Sequence, residues 1–258
     1  MKGTKSPRMP DNTPAPVSAS DRLPQPGARS TFVTAAIAGM VVVAGCTIVL
    51  VGASAAGLAL ALAGHVAGAA LALALMRRGF DHPTLGACNL VTLLRLALTA
   101  SLLAPLVAAG AAPVAIFAIS VTALLLDGAD GWLARREGRV SGFGARFDME
   151  VDSALALVLA LNIWTADQVA GDAGALVLLI GLPRYVFAAA ALLLPWLNGP
   201  LPPRFSRKLV CVVQIAALVL LQLDTVAPQL VTAIVAAVAT ALLWSFARDV
   251  LWLWQARR

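Results

Sequence analysis

Charge is scarce in this 258-residue sequence: only 12% of its residues are Asp, Glu, Lys or Arg. Soluble domains carry about 25%. So few charges cannot cover a water-exposed surface, which excludes a soluble globular enzyme. Metal-binding and polar aromatic side chains are equally thin, with two His, three Cys and one Tyr. Cys46, Cys88 and Cys211 lie in or beside apolar runs and share no paired spacing. They read as small buried hydrophobes and suggest neither a disulfide framework nor a zinc site. Acids are the rarer sign, 13 against 19 Lys and Arg, for a formal net charge of +6. In a chain that is 60% hydrophobic, with mean hydropathy +0.87, that excess does not make a nucleic-acid-binding domain. It points to a membrane surface or an anionic ligand.

Long apolar runs occupy the sequence instead. From Thr31 to Met76, 46 residues pass without a Lys, Arg, Asp or Glu. A bilayer-spanning helix needs about 20 mostly apolar residues. This run therefore predicts two helices, 32–53 and 55–76, turning near Gly52–Gly57. Further helices are predicted at 88–110, 112–136, 147–167, 173–197, 206–223 and 226–254. The segments are too long for barrel strands and lack period-2 alternation, so the fold class is an all-α integral membrane protein of about eight helices. Residues 1–30 are rich in Pro and basic side chains and have no apolar segment of the kind a signal peptide carries. They read as a disordered cytosolic tail. Two additional helices follow at 31–78, then a six-helix unit at 79–258.

Lys and Arg set the expected topology. With the N-terminal tail in the cytosol, 18 of the 19 basic residues fall in cytosolic segments, Arg95 counted among them. The opposite turns, near 52–57, 109–113, 166–173 and 223–228, hold none. Both termini are then cytosolic. Arg184 stands apart, near the middle of the sixth helix and directly after Pro183, which breaks a helix locally.

Ionisable groups inside membrane helices are costly and mark function. Asp127 and Asp130 are spaced i, i+3, and Asp148 and Asp152 i, i+4, at the predicted cytosolic ends of the fourth and fifth helices. Each spacing puts both side chains on one face, about 5–6 Å apart at Cβ. The short Gly- and Arg-rich segment between the helices folds them back, so the pairs can face each other. Four carboxylates converging in a low dielectric cannot all stay ionised unaided. Hard divalent cations resolve the conflict: Mg²⁺, Mn²⁺ or Ca²⁺, not Zn²⁺, which recruits His or Cys. The plainer alternative is surface pairing with Arg135, Arg136, Arg139 and Arg146. Glu150 points away from Asp148 and has Arg146 one turn away as a partner. Gly131, Ala134 and Gly144 leave space beside the acids, and Arg135 supplies a planar donor suited to phosphate. Together these features suggest a nucleotide diphosphate bound through metal.

The pattern Asp127-x2-Asp130-Gly131-x2-Ala134-Arg135-x8-Gly144-x3-Asp148-x3-Asp152 resembles the signature of the CDP-alcohol phosphotransferase family, with every fixed position filled. The stretch Asn89-Leu-Val-Thr92-Leu-Leu-Arg95 also resembles the start of that family's first core helix. The resemblance covers about residues 81–254 and implies a six-helix catalytic core. It implies transfer of a substituted phosphate from a CDP-linked donor to an alcohol, with release of CMP. It further implies two divalent ions, Mg²⁺ or Mn²⁺, held by Asp127, Asp130, Asp148 and Asp152, with Asp152 as general base. The nucleotide site would take in Gly131, Ala134, Arg135, Gly144, Asn89 and Thr92. The usual bacterial donor is CDP-diacylglycerol, so the resemblance implies phospholipid synthesis at the cytoplasmic membrane by a homodimer.

For the acceptor, Arg184, Arg204, Arg207 and Lys208 are the candidates, and they suit an anionic alcohol such as a polyol phosphate. Arg204, Arg207 and Lys208 also suit plain positive-inside anchors. Two other functions are open on the acids alone: an ion-coupled transporter, and a non-catalytic lipid-binding relative. The first leaves Gly131, Ala134 and Arg135 unexplained, and the intact four-Asp pattern speaks against the second.

Overall fold

A computed structural model describes residues 26–80, 82–136, 141–166, 173–199, 201–202, 204–223 and 225–256. Among them the secondary structure is helical, without a strand. The helices are α1 (Pro26–Val51), α2 (Ala55–Met76), α3 (Gly86–Ser101), α4 (Pro113–Arg136), α5 (Gly142–Thr165), α6 (Ala173–Gly181), α7 (Pro183–Leu193), α8 (Phe205–Leu220) and α9 (Pro228–Ala256). Short 3-10 turns at Ala104–Leu106 and Pro195–Asn198 extend α3 and α7. Five segments are long and apolar enough to cross a bilayer: Gly27–Val51, Ala55–Met76, Gly86–Leu106, Pro113–Leu133 and Gln229–Ala256. The chain is an all-α protein integrated into a membrane.

Local chemistry explains the boundaries. Gly52 ends α1 with a positive φ of 66°, a conformation glycine adopts at no steric cost. Two residues on, the Ser54 hydroxyl caps α2 by accepting from the Gly57 N–H at 3.1 Å. α5 starts five residues before its predicted position. Ser141 caps it, accepting from the Gly144 N–H at 3.0 Å, so Gly142 and Phe143 are helical rather than loop. The sixth predicted helix is two. Pro183 has no N–H to donate, and the rod breaks at Leu182 into α6 and α7. The Gln214 side-chain amide donates to the Ile180 carbonyl at 2.6 Å, across the break from α8.

The largest apolar core joins α5, α6, α8 and α9, with Leu159, Val177, Ile180, Leu218 and Val235 fully buried. A second cluster ties the N-terminal helices to the acid-bearing end of α5. Phe32 of α1 meets Phe147 edge-on at 6.2 Å, and Phe147 stacks on Phe143 at 5.7 Å. α2 approaches α3 through glycines. A Cβ at Gly68 would lie 2.6 Å from the Leu96 side chain, and one at Gly64 would overlap Leu103. His65, buried between α1 and α2, bonds the Ala36 carbonyl at 2.9 Å, and Gly39 gives its ring room.

Candidate active site

Three helices build the acid cluster. α3 supplies Asn89, Thr92 and Arg95 along one face, α4 supplies Asp127 and Asp130, and α5 supplies Asp148 and Asp152. Arg95 lies at the centre, 1% exposed. Its Nη1 contacts Asp130 at 2.8 Å and Asp148 at 2.5 Å, and its Nη2 contacts Asp127 at 3.1 Å and also Asp152. Its Nε donates to the Ala123 carbonyl at 3.2 Å. The four acids do converge, as their helical spacing predicts. Among the described residues their basic partner is Arg95, and no ion pair joins Arg136 or Arg146 to them; the side chains of Arg135 and Arg139 lie outside those residues. The topology count placed Arg95 with the cytosolic basic residues, at the start of a predicted helix; it is a guanidinium buried inside α3.

The acids are not equivalent. Asp130 is 4% exposed and turns to Arg95 and to the Thr92 hydroxyl, 3.1 Å away. Asp127, Asp148 and Asp152 are half-buried and place one carboxylate oxygen each within 4.8 Å of one another. Four carboxylates against one guanidinium leave three negative charges. Hard oxygen donors with surplus negative charge, and no His or Cys among them, fit a divalent cation such as Mg²⁺ or Mn²⁺. Asp127, Asp148 and Asp152 would hold it, and Asp130 stands behind them.

The residues expected around a nucleotide gather at the same end. Asn89 donates to the Leu85 carbonyl at 2.6 Å, and its Oδ1 would lie 3.2 Å from a Cβ at Gly144. The absence of a side chain at Gly144 therefore keeps Asn89 and α5 in close approach. Gly131 is half-buried on α4. Ala134 and Arg135 belong to α4, but their side chains lie outside the described residues.

The acceptor candidates separate. Arg184 and Arg207 line a cavity of about 230 Å³ that also takes in Asp152. Arg204 and Lys208 are not on its wall. α8 turns Arg207, Val210, Cys211 and Gln214 toward it, the i, i+3, i+4, i+7 face. Lys208 falls off that stripe and is exposed, and Arg204 precedes the helix. Arg184 Nη2 contacts Glu150 Oε1 at 2.5 Å, so Glu150 pairs across to α7 and not locally with Arg146. Arg207 holds Asp249 of α9 at 2.8 and 3.1 Å. Sequence reasoning passed over Asp249. Its signal was the one that singled out Asp127, an acid inside an apolar helix.

A larger cavity, about 680 Å³, lies at the other end of α5, among residues 105–116, Asn162, Thr165 and Gln222. Among the described residues its lining holds no charged side chain.

The CDP-alcohol phosphatidyltransferase family model matches residues 85–245, which span every helix of the acid cluster and all of the smaller cavity's wall but Phe246 and Asp249. No curated protein and no solved structure matches the chain. With the match covering well over half of the sequence and the four acids gathered in space, the chain belongs to the CDP-alcohol phosphatidyltransferase family, whose members transfer a phosphatidyl group from a CDP-linked donor to an alcohol.

Proposed function

We propose that this protein transfers a phosphatidyl group from CDP-diacylglycerol to a small polar alcohol, releasing CMP and forming a phospholipid. The observation that carries the proposal is the convergence of Asp127, Asp130, Asp148 and Asp152 on one buried guanidinium, with three negative charges left over. Divalent ions bound there would offset the diphosphate charge and stabilise the departing CMP. Arg95 fixes the carboxylates in place before any substrate arrives, and Thr92 orients Asp130. Asn89, Gly131, Ala134, Arg135 and Gly144 form the nucleotide side of the site.

Asp152 faces both the acid cluster and the smaller cavity. It takes the proton from the acceptor hydroxyl as the new P–O bond forms and the bond to CMP breaks. The acceptor occupies the cavity lined by Arg184 and Arg207, and Arg204 and Lys208 serve as headgroup contacts at the membrane surface. Large apolar side chains flank the acids on the outside of the bundle: Leu125 and Trp132 on α4 are exposed. They suit a donor whose acyl chains stay in lipid while its nucleotide enters from the aqueous side. With the N-terminus cytosolic, that side is the cytosol. Residues 31–78 support the six-helix core at 79–258 and take no part in the chemistry.

The test is CMP release from CDP-diacylglycerol by the detergent-purified protein, with and without Mn²⁺. Release that depends on both metal and acceptor is expected. A transporter using the same carboxylates would release none.

A further inference from the structure

The charges on the wall of the smaller cavity balance. Arg207 grips Asp249 through two near-parallel contacts, and Asp249 is 5% exposed. Arg184 closes on Glu150. The charged side chains of the wall are Arg184, Arg207, Asp249 and Asp152, two of each sign, and Glu150 adds a third carboxylate behind Arg184, so no positive charge is left over; the rest of the wall is mostly apolar, with Phe187, Leu242 and Phe246. The sequence alone suggests an anionic acceptor because it shows the arginines without their partners.

Resting on the transferase reading, we propose that the cavity selects an alcohol of zero net charge, a polyol in particular, over a phosphorylated one. A phosphomonoester would need a guanidinium freed from its carboxylate. Freeing Arg207 would leave Asp249 buried without a counter-charge, which is strongly unfavourable. It would also bring two negative charges up to Asp152, beside an acid cluster already carrying surplus negative charge. Hydroxyl groups require neither. Arg184 Nε is buried without a hydrogen-bond partner and is a ready donor to a hydroxyl oxygen. Gln214 spends its N–H on the Ile180 carbonyl and keeps its side-chain oxygen as an acceptor.

The experiment measures kcat/KM for CMP release from CDP-diacylglycerol and Mn²⁺ by the full-length protein in detergent. The acceptors are glycerol, glycerol 3-phosphate, myo-inositol, inositol 1-phosphate, serine, ethanolamine and choline. An acceptor of zero net charge should rank first, and each polyol should exceed its own phosphate by at least about tenfold, the scale of one charge-assisted hydrogen bond. Glu150→Gln frees Arg184 and should narrow that ratio by about tenfold. Asp249→Asn should act likewise through Arg207, and Glu150→Gln carries the test if Asp249→Asn does not fold. A charged acceptor ranking first, or an unchanged ratio in Glu150→Gln, overturns the proposal and leaves the transferase reading intact. CMP release with no acceptor at all overturns both.

Discussion

At Arg95 four carboxylates meet one guanidinium, whereas around the smaller cavity two carboxylates answer two guanidiniums. Fully ionised, the first carries surplus negative charge inside a helical bundle, which bound cations or protons would offset. In the second each guanidinium already has a carboxylate partner. The two regions lie on either side of Asp152, which belongs to both. Net charge, not cavity volume, separates the acid cluster from the smaller cavity.

The largest effect should come from removing the cations that the first region requires. EDTA should abolish CMP release, and Mg²⁺ or Mn²⁺ should restore it; full activity in metal-free protein would show that the surplus charge is not a cation site. Next, Asp148→Asn and Asp152→Asn should each lose at least about 10²-fold in rate, the scale of a removed acid–base group. Asp152→Asn should better retain metal-dependent CDP-diacylglycerol binding, measured by equilibrium titration. Equal losses of binding would remove its separate role as base.

Arg95→Lys keeps the charge and loses the planar fork that reaches four carboxylates. It should lower turnover by about tenfold and reduce the apparent thermal midpoint measured by scanning fluorimetry. Arg184→Ala tests the other region. It should raise the KM for the acceptor and leave that for CDP-diacylglycerol nearly unchanged; a parallel rise in both would make Arg184 purely structural. The smallest effect on chemistry should follow Gly68→Leu, at the α2–α3 contact, where the added side chain meets Leu96 and none of the acids. Crowding against Leu96 should cost about 1–3 kcal/mol of stability, read as a lower thermal midpoint, with turnover per folded molecule retained.

Local rules made part of this visible in advance. The spacing of Asp127 with Asp130 and of Asp148 with Asp152 is a property of one helix at a time, and it fixed which faces carry the acids. The turn at Gly52, the cap at Ser54 and the break at Pro183 are local as well. What local rules miss is pairing between helices. The hydrogen-bonded acids partnering Arg95 lie 35, 53 and 57 residues away at Asp130, Asp148 and Asp152, and no local pattern on α3 picks them out. Glu150 has Arg146 at helical spacing, yet the packing of α5 on α6 brings Arg184, at the start of α7, to it, 34 residues on. Arg207 and Asp249 are 42 residues apart and meet only because α8 and α9 pack together. The early start of α5 was hidden differently: its first turn contains Gly142 and Gly144, which read as loop until the Ser141 cap is seen.

The shared guanidinium also imposes an order in time. The chain is made from the N-terminus, so Arg95 is synthesised before any of its four carboxylates. A lone Arg at mid-helix costs about 2.5–3.5 kcal/mol to insert. That cost falls when α4 supplies Asp127 and Asp130 and falls further when α5 follows with Asp148 and Asp152. α3, α4 and α5 are therefore expected to depend on one another for stable integration. A substitution that removes acids from α4 or α5 reaches backwards along the chain, because it strands a charge already committed to the membrane.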